Sequence, residues 1–224
     1  MDYNVIVWAA FGVIIALIFV LFMPRFRERM NFRKEQIIKN QEQMEYYRTM
    51  TSEQFDQTPE HELSHAIMYR IMEKENQLAE QDNLESYDVF DYLNEEEKKI
   101  YTLYQMELSL QGGKGSLQPF LSDDVYEKYQ PYIEPTFEAL NCFEIVELIQ
   151  AAKKYIDILE NDLEDDDEGK YSSYNFLDFT NEFMALLKSS GTVNRMNRYI
   201  KEHKESFIDD EEEDLIEEES STEV

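Results

Sequence analysis

Glu144-Ile-Val-Glu-Leu-Ile-Gln-Ala-Ala-Lys-Lys-Tyr-Ile-Asp-Ile-Leu159 is the stretch on which the fold class turns. Ile145, Leu148, Ile149, Ala152 and Ile156 recur at spacings of three and four, the period of one helical face. Glu144, Glu147, Gln150, Lys153, Lys154 and Asp157 fill the positions between them. Such a segment buries one stripe and leaves the other in water, so it is an amphipathic helix on a core.

The same reading extends in both directions. Downstream, an acidic loop over Glu160–Glu168 leads to helices near Asn175–Leu187 and Val193–Glu205. Upstream, Pro131 and Pro135 restart the chain as a helix to about Asn141, Asp123 is placed to cap one around Val125–Tyr129, and Leu117–Leu121 is a short apolar piece. Gln111-Gly112-Gly113-Lys114-Gly115 stops an earlier helix, because glycine takes left-handed dihedrals cheaply. That helix starts at Asn94, a good N-cap before Glu95–Glu97, and points Ile100, Leu103, Tyr104 and Leu108 inward. A further helix from Glu60 to about Gln81 carries Leu63, Ile67, Ile71 and Leu78, after a linker over Thr51–Pro59. No segment alternates with the period of a strand, and 15 Tyr and 14 Phe stand against six Gly and five Pro. The expected fold is all-α, a soluble multi-helix bundle over 60–208, preceded by a single N-terminal transmembrane helix.

That membrane helix is read from Val5 to Met23, nineteen residues without a charge. At about 1.5 Å per residue they cover roughly 28 Å, close to the hydrocarbon thickness of a bilayer. Residues 1–4 hold no Lys or Arg, whereas Arg25, Arg27, Arg29, Arg33 and Lys34 open a basic juxtamembrane helix and linker over 24–59. The positive-inside rule then places the N-terminus outside a bacterial cell membrane and the bundle in the cytoplasm. A cleaved signal fits less well, since the start is acidic and bulky Leu21-Phe22-Met23 ends the run. The one cysteine, Cys142, allows no intrachain disulfide and reads as a small buried hydrophobe.

The chain carries 49 acidic and 21 basic residues, a net charge of −28. Seven of the acids lie in Glu160–Glu168 and ten in an acidic tail over 209–224, expected to be disordered. A balance this negative excludes direct nucleic-acid binding by the bundle and favours basic partners. No Ser/His/Asp or Cys/His nucleophile set can be assembled, and no cofactor is implied. The candidate partner-binding residues are carboxylates held on helices: Glu134 with Glu138, and Glu144 with Glu147. The plainer reading of each pair is a solvated helix face.

His61-Glu62-Leu63-Ser64-His65 matches H-E-x-x-H, the pattern in which two His four apart bind zinc and the Glu activates water. Pro59 and Glu60 put His61 in a frayed first turn, and the remaining histidine, His203, lies far along the chain. An anchored zinc hydrolase is therefore the alternative to a binding protein, and a dimerising scaffold is the third reading.

Taken together, Glu62–Ile67, Glu97–Leu110 running into Gly112-Gly113, Leu117–Leu121 with Phe120, Ala139-Leu140, Ala151-Ala152, Phe179–Phe183, Tyr199-Ile200 and Phe207 resemble the C-terminal domain of DNA-mimic proteins, a bacterial all-α family. The resemblance covers roughly residues 60–208. Here Gln111-Gly112-Gly113-Lys114 stands where that family tends to have Asn-Gly-Gly-Phe. The resemblance implies an acidic, non-enzymatic domain that occupies the DNA-binding surface of a basic regulator. The expected function is thus a membrane-anchored acidic interaction domain for a basic protein partner.

Overall fold

The computed structural model describes residue 23 and residues 30–81, 88–110, 112, 114–161 and 169–209. All regular structure among them is helical, as the sequence predicts. The chain forms two compact units, the first ending at Tyr46 and the second beginning at Tyr47. Of the first unit, a helix over 30–46 is described (α1), most of its residues exposed.

The transmembrane expectation is corrected. Among the described residues no helix is long and apolar enough to cross a membrane. The run over 5–23 lies outside the described residues, apart from an exposed Met23. The two longest helices among the described residues, α3 (Leu63–Gln81) and α7 (Phe143–Asn161), have 19 residues each but carry charges along their outer faces. The single-pass placement, with the N-terminus outside and the bundle in the cytoplasm, depended on that span and falls with it.

The second unit starts earlier than expected. Tyr47 and Met50 are buried, and the segment read as a linker contains a helix, α2 (Ser52–Gln57). Thr51 and Gln54 form a capping box that closes its first turn, and Phe55 is buried beneath it. A 3-10 turn at Glu60–Glu62 then leads into α3, which buries Leu63, Ile67 and Ile71.

α4 (Glu95–Leu110) runs through the interior. Asn94 accepts from the N–H groups of Glu96 and Glu97, while Glu97 accepts from the N–H of Asn94, a second capping box. Ile100, Tyr101, Thr102 and Leu103 are buried in succession, so the helix is covered on more than one face. This is why the single inward stripe misplaced Leu108, which is 52% exposed, and missed Met106 and Leu110. Gly112 takes φ +65 beyond the helix end, and a Cβ at Gly115 would meet the Ser109 carbonyl oxygen at 2.1 Å. The glycines are needed there for a left-handed turn and for a close backbone approach.

Short α5 (Leu117–Ser122), capped by Ser116, and a 3-10 turn at Asp124–Tyr129 lead to α6 (Gln130–Ala139). α7 buries Ile145, Leu148, Ile149, Ala152 and Ile156, the stripe read from the sequence. α8 (Phe176–Ser189) is capped by Asn175, and α9 (Thr192–Glu202) follows Gly191 in the left-handed conformation. α4 packs on α6 and α3, α7 on α8 and α6, and α9 on α3. Phe120, Phe137, Phe179, Phe183 and Phe207 are fully buried.

One ionic cluster ties the two ends of this unit together. Arg70 on α3 pairs with buried Glu97 and, through two nitrogens, with the Asp209 carboxylate. Asp209 also accepts from the Met50 N–H at 2.7 Å and donates its own N–H to the Met50 carbonyl at 2.9 Å. The first residue of the expected acidic tail is therefore part of the folded unit, and residues 210–224 lie outside the described residues.

Candidate partner-binding corner

The carboxylates singled out in the sequence fall on either side of the α6–α7 turn. α6 ends in a Schellman arrangement: the Cys142 N–H donates to the Phe137 carbonyl at 2.8 Å, and the Asn141 N–H to the Glu138 carbonyl at 2.9 Å. Asn141 holds the left-handed position, φ 55, which asparagine tolerates better than most residues. The Arg195 guanidinium on α9 donates to the carbonyls of Leu140 and Asn141, at 3.1 and 3.0 Å. It thus supplies the cation that the last turn of α6 itself lacks. Cys142 is buried, its sulfur near the Leu140 carbonyl and the Thr192 hydroxyl, and acts as packing.

The four candidate acids do not share one role. Glu134 is engaged within the unit: its carboxylate accepts from Lys153 at 2.6 Å and Gln150 at 2.9 Å, which fastens α6 to α7. Partial burial opposes its charge, but those bonds prevail and hold its pKa below the ordinary value. Glu138, Glu144 and Glu147 are exposed, with no hydrogen-bond or ion-pair partner among the described residues. Glu144 sits in the first turn of α7, where the helix dipole favours it. Glu138 sits in the last turn of α6, where the dipole disfavours it, so stability does not account for that carboxylate.

Phe143 completes the corner. It opens α7, one turn before Glu147, and is 58% exposed. The sequence reading passed over it because it falls outside the Ile145–Ile156 stripe. A small cleft lined by Asn141, Arg195, Arg198 and Glu202 borders the turn, so two arginines and a further carboxylate bound the acidic surface on that side.

The H-E-x-x-H residues are not presented as a zinc helix. His61 lies in the 3-10 turn, outside α3, so the four-residue spacing does not stack its ring over His65. Its Nε2 lies 3.6 Å from the Glu62 carboxylate, with both side chains mostly in solvent. Among the described residues no group of three or more His, Cys, Asp or Glu could hold a metal ion. His203 stacks on Tyr199 at 4.0 Å and shares its Nδ1 with the Tyr199 carbonyl. No protein-family model matches this chain, no curated protein matches it, and no solved structure matches it.

Proposed function

We propose that the folded unit is a protein-interaction module that binds a basic protein partner through the α6–α7 corner. Glu138, Glu144 and Glu147 meet Lys or Arg side chains of the partner, and Phe143 supplies an apolar anchor among them. One observation carries this reading: an unpartnered carboxylate at the unfavourable end of a helix, beside an exposed aromatic on a turn locked by Arg195. Interfaces draw their affinity from such an anchor and their orientation and on-rate from the surrounding charge. With Glu134 engaged by Lys153, the three exposed carboxylates stand at the end of α6 and the start of α7. They match a basic helix or loop better than a surface the length of a DNA groove, so the partner is read as contacting the corner locally.

Affinity capture with the full chain at low salt, followed by elution with salt, tests the proposal. A basic protein should be retained by the wild type and lost from the variant Glu138→Gln/Glu144→Gln/Glu147→Gln. Recovery of no basic protein, or equal recovery by both chains, would contradict it. Recovery of a second copy of the chain alone would point to dimerisation.

A further inference from the structure

A second candidate site lies away from the corner, where α3, α4, α6, α8 and α9 converge. Met68, Ile100, Leu103, Met106, Phe137 and Phe183 wall a cavity of about 180 Å³, and each of them is buried. Its polar groups are few and include His65 on α3, Glu107 on α4 and Thr192 at the start of α9. An apolar chamber with a few convergent polar groups is the usual form of a small-molecule site. Apolar cavities of about 150 Å³ are large enough to admit benzene.

We propose that this cavity binds a small monocyclic or branched apolar molecule bearing an ammonium group, with the apolar body among the methionines and phenylalanines and the cation at Glu107. Among the described residues Glu107 is the only carboxylate in the lining, and it has no hydrogen-bond or ion-pair partner among them. His65 and Glu107 are both exposed and mark the entrance, whereas Thr192 is buried with the hydrophobics of the interior. Partial burial raises the Glu107 pKa and nearby His65 opposes the rise, the environment of a carboxylate short of a permanent counter-charge. An anionic ligand would meet Glu107 and a chain of net charge −28, so the cation is the complementary choice. Three flexible methionines, Met68, Met106 and Met196, let the walls adapt to the shape of the body.

The test uses the full chain with labelled methionine methyl groups, titrated with benzylamine, toluene and phenylacetate and followed by NMR. Benzylamine should shift the Met68, Met106 and Met196 signals, toluene should shift the same three at about tenfold lower affinity, and phenylacetate should leave them unmoved. Glu107→Gln, a change at an exposed position, should bring benzylamine down to the affinity of toluene while leaving toluene as it was. Absence of shifts with benzylamine, phenylacetate binding as well as benzylamine, or an undiminished benzylamine preference in Glu107→Gln would each overturn the proposal. Benzylamine shifts confined to methionines outside the cavity would do the same.

Discussion

Replacing Arg70 with Met should unfold the second unit far more readily than its single-residue nature implies. Arg70 is 11% exposed and is the counter-charge of Glu97, which is 2% exposed. The substitution keeps most of the apolar stem but leaves the Glu97 carboxylate buried without a cation. Breaking a buried pair in this way costs about 3–5 kcal/mol. The bond to Asp209, 34% exposed, adds little, because water screens it. For a unit of this size each kcal/mol lowers Tm by about 2–4 °C, so the expected loss is about 6–20 °C. Urea and thermal unfolding followed by far-UV circular dichroism measure it directly. The double variant Arg70→Met/Glu97→Gln should recover part of the loss, because the unpaired charge is then absent and the Asn94 cap contact is kept. As an internal control, Lys201→Met breaks an exposed pair with Glu60 and should leave the midpoint where it was. A loss below about 1 kcal/mol for Arg70→Met, or additivity in the double variant, would refute the claim that this cluster closes the fold.

Three further outcomes are expected. Glu134→Gln should lower stability by about 1 kcal/mol or less at neutral pH, since its pair with Lys153 is still reached by water, the two side chains being 24% and 34% exposed. The folded pKa of Glu134 is depressed, so that contribution is present above the ordinary carboxylate range and is lost as pH falls through the folded value. Urea curves at neutral and acid pH should therefore converge for the two proteins. Asn141→Val should cost about 1–2 kcal/mol, because a β-branched residue resists φ 55, whereas Asn141→Gly should be close to neutral; thermal melts separate the two. Thr102→Val should stabilise the unit by about 1 kcal/mol, since the Thr102 hydroxyl is fully buried without a hydrogen-bond partner among the described residues; a shift of the urea midpoint to lower values would contradict this.

Much of the helical layout was legible because it rests on local rules. The α7 stripe, the Asn94 cap and the Gly112 stop each need only a few adjacent residues to be read, and each stands where the sequence put it. What failed depended on distant neighbours. Leu108 follows the helical period perfectly well, but α4 is covered from several sides and the apolar stripe there has no unique direction. Thr51–Pro59 looks like a linker by composition, yet Thr51 and Gln54 spell a capping box and Phe55 has a core to enter. The nineteen-residue apolar run obeyed the rule for a membrane span, but no described helix satisfies that rule.

The candidate corner was half visible. Spacing alone placed Glu144 and Glu147 on one face of α7, and both remain exposed. Spacing could not show that Lys153 claims Glu134, that Arg195 reaches across to lock the turn, or that Phe143 is left in water. Those depend on α7 and α9 meeting α6, which is tertiary information. The cavity at Glu107 was invisible for the same reason, its walls coming from five separate helices.

The most direct test of the interaction reading is the affinity of the full chain for a lysine-rich helical peptide, measured over a range of salt concentrations in three proteins. They are the wild type, the corner variant Glu138→Gln/Glu144→Gln/Glu147→Gln, and a charge-matched variant Asp124→Asn/Glu127→Gln/Glu205→Gln whose acids are exposed on other elements. The corner variant should bind about tenfold more weakly with a shallower salt dependence, and the charge-matched one should stay within about twofold of wild type. Equal weakening in both variants would mean that net charge alone attracts the peptide, and that the α6–α7 corner is an ordinary solvated surface.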